Sequence, residues 1–171
     1  MCHLNLHILI VILPLLLSNV IHIIAVKQNL LSGFAQPISV KLFGKNKTWR
    51  AFLMLPFLNA LFLWGVNAIG GFELSNSLLL GFILGLTYLI FELPNSLIKR
   101  RLGINPGSKG QRYSFLVTLM DKMDSVFGVT LVYFLMGYLP FISAVYLFLL
   151  AFFTHFLISY LLVQLRIKKT I

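Results

Sequence analysis

The chain has 171 residues, 59% hydrophobic and only 11% charged, where soluble domains carry about a quarter charged residues. That excludes an ordinary soluble domain and indicates an integral membrane protein, and the single cysteine, Cys2, excludes an internal disulfide and a cysteine-built metal site. The formal net charge of +10 would suggest nucleic acid in a soluble protein; in a membrane chain it is read as topology, and no nucleic-acid partner is expected.

The first apolar run, Leu6–Val26, has no basic region before it and ends in Val26-Lys27-Gln28 rather than at a small-residue cleavage site. At roughly 20 residues it is long enough to span a bilayer, and it is expected to be a true first helix. Four more segments follow, about Ala51–Ile69, Leu78–Leu97, Leu116–Gly137 and Phe141–Leu165. In hydrocarbon a segment must satisfy its own backbone groups, so helices are the expected form. The reading is one polytopic all-α membrane domain over 1–171 with about five transmembrane helices and the lipid bilayer as its surroundings. The fourth segment is interrupted early by Asp121, Lys122 and Asp124.

The fourteen basic residues fall in three groups. Lys27, Lys41, Lys45, Lys47 and Arg50 follow the first segment. Lys99, Arg100, Arg101, Lys109, Arg112 and Lys122 lie around the second long loop, and Arg166, Lys168 and Lys169 end the chain. With five helices all three groups lie on one side, so the positive-inside rule predicts an outside N-terminus and a cytoplasmic C-terminus in the cell membrane. The cytoplasmic loops are then about 27–50 and 98–115. The outer connections, around Gly70–Asn76 and Gly137–Pro140, are short, so any chemistry is expected on the cytoplasmic side. Basic loops of this kind also serve topology and lipid-headgroup contact alone.

Three of the four acids, Glu92, Asp121 and Asp124, lie in one stretch with six of the basic residues. Asp121 and Asp124 are i and i+3, on one face of a helix. The pair lies roughly 8–12 Å along its helix, and Glu92 about 10 Å before Lys99, at 1.5 Å per residue. Carboxylates set below the membrane surface are costly unless paired or wet, and so mark candidate sites. Grouped without histidine or cysteine they suit a hard cation, Mg²⁺ above all. Lys99, Arg100, Arg101, Lys109 and Arg112 supply charge for a polyphosphate, and Asn95 and Ser96 add neutral donors. Together these are the parts of phosphoryl or nucleotidyl transfer. Ion pairs such as Asp121 with Lys99 or Arg100, serving helix packing, are the plainer alternative.

Pro94 removes a backbone donor near Glu92 and either opens space there or only kinks the helix. Gly81 and Gly85 form a GxxxG, a close-packing face suited to internal contact or to a homodimer. His3, His7, His22 and His155 are expected to be structurally incidental. Trp49, Trp64, Tyr88 and Tyr113 are expected to be interface anchors or packing residues.

The stretch Glu92-Leu-Pro-Asn-Ser96-Leu-Ile-Lys99-Arg100-Arg101-Leu-Gly103-Ile104, followed by Asp121-Lys-Met-Asp124, resembles the signature of the CDP-archaeol synthase family. That family is related to the phosphatidate cytidylyltransferases. Gly44-Lys45-Asn46-Lys47-Thr48-Trp49-Arg50 resembles its Lys-Thr-Trp-Arg-Gly loop, in the same order along the chain. The departures are Glu92 where the family has Asp, Ala51 where it has Gly, and Gln36-Pro37-Ile38 in place of an acid-containing stretch.

The resemblance implies a CTP:lipid-phosphate cytidylyltransferase giving CDP-lipid and pyrophosphate. Asp121, Asp124 and Glu92 would hold Mg²⁺, and Lys99, Arg100 and Ser96 would form the catalytic set. Lys47, Thr48, Arg50, Arg101 and Asn95 would bind CTP and lipid phosphate. The competing reading is a non-catalytic membrane protein that binds anionic lipid or a partner through its basic loops. A CDP-alcohol phosphotransferase is disfavoured, since no Asp-Gly-x-x-Ala-Arg stretch is present.

Overall fold

The computed structural model describes residues 4–72, 74–104 and 114–165, with side chains in the last stretch from 119 onward except at Lys122. Cys2, His3, Lys109, Arg112, Tyr113, Arg166, Lys168, Lys169 and the Lys122 side chain, all named above, lie outside the described residues.

The fold is all-α. A short helix α1 (Leu4–His7), a π-helical turn (Ile8–Ile12) and α2 (Leu13–Lys27) run together as the span Asn5–Lys27. The wider π turn directly precedes Pro14, which has no N–H to give to the carbonyl four residues back. After a short α3 (Val40–Phe43) come four long helices: α4 (Trp49–Gly70), α5 (Ser77–Arg101), α6 (Ser114–Leu135) and α7 (Phe141–Gln164).

The first span, α4, α5 and α7 have the length and apolar composition to cross a membrane. The α6 helix, at 22 residues, is as long as α4, but it carries Asp121, Lys122 and Asp124 within its first three turns. An all-α integral membrane protein is thus what the chain forms, with α6 distinguished by these charges.

Neighbouring helices follow the order α2, α4, α5, α6, α7, and α5 lies between α4 and α6. The tightest seam is α4 against α5. A Cβ on Gly81 would lie 2.7 Å from the Ala60 Cα, and one on Gly85 2.8 Å from the Pro56 Cα. Only glycine permits backbones to approach this closely. The Asn59 side chain donates across the seam to the Gly81 carbonyl at 2.6 Å. The GxxxG face is therefore taken up inside the chain.

Several polar side chains in the apolar interior are paired with one another, which offsets the cost of burying them. His7 Nδ1 and the Tyr133 hydroxyl share a hydrogen bond of 2.9 Å, and Tyr133 stacks on Tyr138 at 4.8 Å. Asn19 donates to the Tyr88 hydroxyl at 2.8 Å, which stands 3.1 Å from His155 Nε2. Two of the histidines expected to be incidental thus join helices, and Tyr88 is a packing residue, as expected.

Candidate functional site

The site forms where the C-terminal ends of α2 and α5 meet the first turns of α4 and α6. Both C-terminal ends are built alike. At α5, Gly103 (φ 71°) follows the last turn, with Ile104 N–H donating to the Lys99 carbonyl and Gly103 N–H to that of Arg100. This is a Schellman ending, with Ile104 buried as its hydrophobic member. At α2, Asn29 (φ 57°) takes the glycine's place, and Leu30 N–H donates to Ala25. The Leu-Gly-Ile that reads as part of a family signature is therefore also a helix stop.

Loop one then folds back on itself. Ile38 N–H donates to the Lys47 carbonyl at 2.9 Å, and Trp49 N–H to that of Gln36 at 3.1 Å. Pro37 and Thr48 form an isolated antiparallel bridge. The departing stretch Gln36-Pro37-Ile38 is thus the backbone partner of the Lys-Thr-Trp motif, which explains how loop one is held without its acid.

This pairing presents Lys47 to α5, where its ammonium donates to the Glu92 carboxylate. Burial alone would lower the Lys47 ammonium's pKa, but the Glu92 charge and hydrogen bond outweigh it and raise it above the usual lysine range. Lys47 is therefore charged throughout the neutral range. Thr48 caps α4 with extended backbone, and its hydroxyl is not spent on the helix N–H groups. Arg50, in the first turn of α4, is buried, and its guanidinium donates to the Leu30 carbonyl at 3.0 Å.

Across the α5–α6 seam, the Asn95 amide nitrogen lies 2.7 Å from Asp121 Oδ1 and 3.0 Å from Asp124 Oδ2. Lys99 donates to the same oxygen of Asp121. The other oxygen of Asp124 accepts from Ser125 N–H at 2.7 Å and from the Ser125 hydroxyl at 3.1 Å. Asn95 is buried, whereas the Asp121 side chain is 37% exposed. The pair of aspartates thus joins a protected wall to an open edge.

Not every expected member faces this point. The Ser96 hydroxyl donates to the Glu92 carbonyl at 3.0 Å, one turn back in its own helix. Arg100 turns onto the Ile104 carbonyl, and Arg101 is exposed. Glu92 stands with Lys47 rather than with the aspartates, and among the described residues no group of three His, Cys, Asp or Glu forms a metal-holding cluster. The plainer alternative, an Asp121–Lys99 ion pair, does form.

The donor set nonetheless suits a small hard cation. Two carboxylate oxygens converge on one neutral donor, and Mg²⁺ characteristically takes one or two carboxylates and completes its shell with water and substrate phosphates. Sequence reasoning missed the bridging role of Asn95 and the support from Ser125. The signal for the first was present, since Asn95 and Lys99 are i and i+4 on α5 and face the i, i+3 pair on α6.

No family model and no solved structure matches the chain. Over 102 residues it is 33% identical to a CDP-archaeol synthase of Staphylothermus marinus, an alignment covering 60% of this chain and 53% of the relative. The chain thus spans about half the length of the curated relative it matches. The resemblance to the CDP-archaeol synthase family, first carried by the two motifs, is upheld by this relative.

Proposed function

We propose that the protein is a CTP-dependent cytidylyltransferase that converts a lipid phosphate to a CDP-lipid with release of pyrophosphate. The observation that carries this reading is the convergence of Asp121 and Asp124 on one point, with Lys99 on one side and the Lys47–Glu92 pair beside it. The similarity to a CDP-archaeol synthase supports it. Archaeal ether-lipid phosphate and diacyl phosphatidate are both substrates of the required chemistry.

In this reading a lipid-phosphate oxygen attacks the α-phosphorus of CTP. The new O–Pα bond forms as the bond from Pα to the bridging oxygen breaks, and the electron pair leaves with pyrophosphate. No covalent protein nucleophile is needed, because the substrate phosphate is one already. Mg²⁺, when bound, offsets charge on the phosphates and aligns them. Asp121 and Asp124 would hold it, with Glu92 in reserve while Lys47 occupies its carboxylate. Lys99 exchanges Asp121 for the departing pyrophosphate, and Lys47 exchanges Glu92 for a substrate phosphate, both as point charges on flexible stems. Thr48 at the end of loop one and Arg50 in the first turn of α4 bind the phosphates from that side. In this reading loop one faces the cytoplasm, so that CTP arrives from the aqueous side and the lipid headgroup from the bilayer.

Purified protein in detergent with Mg²⁺, CTP and a panel of lipid phosphates is expected to release pyrophosphate. Asp124→Ala is expected to abolish release while leaving the helical circular dichroism near that of the wild type. A folded wild type with no turnover on any lipid phosphate would favour the non-catalytic, anionic-lipid-binding reading.

A further inference from the structure

Gly128 lies in the interior of α6, where a glycine weakens the helix and so calls for a reason of packing. The reason is Phe91 of α5. A Cβ on Gly128 would lie 2.6 Å from the Phe91 Cβ, and closer still to its ring. Phe127 meets the Phe91 ring edge to face at 6.5 Å, and Phe148 of α7 meets Phe127 at 6.1 Å, so the ring is walled in on that side. Turning the ring would not make room in any case, because the Phe91 Cβ is fixed to the backbone of α5. Any larger residue at 128 must therefore push α5 and α6 apart.

What that spacing controls follows from register. Phe91 and Asn95 are i and i+4 on α5, and Asp124 and Gly128 are i and i+4 on α6, each pair on one face and about 6 Å apart along its axis. The two helices run in opposite directions at the site, so Lys99 stands opposite Asp121, Asn95 opposite Asp124 and Phe91 opposite Gly128. The Phe91–Gly128 contact is thus the rung directly below the Asn95 bridge. That bridge has little slack. Its bonds are 2.7 and 3.0 Å, and an amide hydrogen bond is weak much beyond about 3.2 Å. Bringing a Cβ at 128 out to an ordinary 3.4 Å contact moves the helices by most of an ångström, enough to undo both bonds.

We propose that Gly128 is a positioning residue for the candidate site: through Phe91 it holds α5 at the distance from α6 at which Asn95 keeps Asp121 and Asp124 turned to a common point. Gly128 acts only through its neighbours, having no side chain to offer a ligand. The assignment rests on the cytidylyltransferase reading for its place in a reaction, but not for the coupling of Gly128 to Asn95 that it asserts.

The test is a double-mutant cycle of Gly128→Ala with Asn95→Ala, read as melting midpoints of the full chain in detergent with chelator. In the wild-type background Asn95→Ala is expected to lower the midpoint by about 5 °C, the loss of hydrogen bonds to charged groups. In the Gly128→Ala background it is expected to lower it by roughly half as much or less, since the bridge is already broken there. Leu147→Ala, which opens a cavity in the core on α7, also destabilises but is expected to leave the Asn95→Ala shift at its full size. A merely structural glycine would behave as Leu147 does. Phe91→Ala combined with Gly128→Ala leaves only the Phe91 Cβ in the way and is expected to restore part of the Asn95 contribution. That double variant takes the place of Gly128→Ala should the single one not fold. In turnover with CTP and a lipid phosphate, kcat for Gly128→Ala is expected to fall about tenfold or more, since groups misplaced by an ångström lose their alignment. If the wild type shows no turnover, the proposed function fails, while a non-additive cycle still supports the role of Gly128. Equal Asn95→Ala shifts in the wild-type and Gly128→Ala backgrounds, shifts of zero included, would overturn the proposal.

Discussion

At the scale of residues, Asn95 does what a cation would do, presenting positive hydrogen to two carboxylate oxygens at 2.7 and 3.0 Å. Asn95→Ala removes that shared donor and leaves Asp121 and Asp124 facing each other. In chelator the variant is expected to lose on the order of 1–3 kcal/mol of stability, the cost of a lost hydrogen bond to a charged group. Mg²⁺ is expected to restore much of it, because a ligand bound only by the folded state stabilises that state. Thermal melts with and without Mg²⁺ check this, and an equal loss in both conditions would argue against a cation between the aspartates. Much of this constellation was legible. The i, i+3 spacing of the aspartates and their charge in an apolar helix marked them, and Lys99 as their partner was one of two stated options. The Ser96 rotamer was not, since a serine in an apolar helix readily bonds the carbonyl a turn back. Nor was the turn of Arg100 onto Ile104, because an arginine near a helix C-terminus is drawn to backbone carbonyls as well as to substrate.

At the scale of elements, the α4–α5 seam sets how α5 presents Glu92, Asn95 and Lys99. Gly81 touches α4 backbone, while Gly65, inside α4, has nothing within 4 Å of a Cβ position. Gly81→Ala must separate the helices and is expected to cost about 1–3 kcal/mol, as overpacking does. Gly65→Ala is expected to stabilise by about 0.5–1 kcal/mol, since alanine restricts the unfolded chain and favours helix. Unfolding of both variants in the same detergent checks the difference in sign. The GxxxG pattern was legible as a packing face; its partner was not, because Pro56, Asn59 and Ala60 carry no complementary motif. Loop one was legible as a motif but not as a shape. The pairing of Gln36–Ile38 with Lys47–Trp49 is made by backbone groups, which every sequence offers equally.

At the scale of the whole molecule, five long helices bring loop one and the ends of α5 and α6 to one face of the bundle, where the candidate site lies. Apolar run length and the clustering of basic residues made this much readable from the sequence. The Lys47–Glu92 contact, between residues far apart in the chain, depends on how α4 and α5 pack and was not readable. The orientation is tested by labelling in sealed vesicles on a Cys2→Ser background. Lys45→Cys is expected to react only from the cytoplasmic side and Ser75→Cys only from outside; reaction of both from one side would contradict the topology.

The most direct test of the central claim follows the nucleotide into the lipid. Wild-type protein in nanodiscs with Mg²⁺ and a lipid phosphate is given CTP labelled at the α-phosphorus, and the organic phase is examined for label. The account predicts a labelled CDP-lipid with one pyrophosphate released per label incorporated, and none with Asp124→Ala. A folded wild type that leaves all label in the aqueous phase, across both ether and diacyl lipid phosphates, would contradict it.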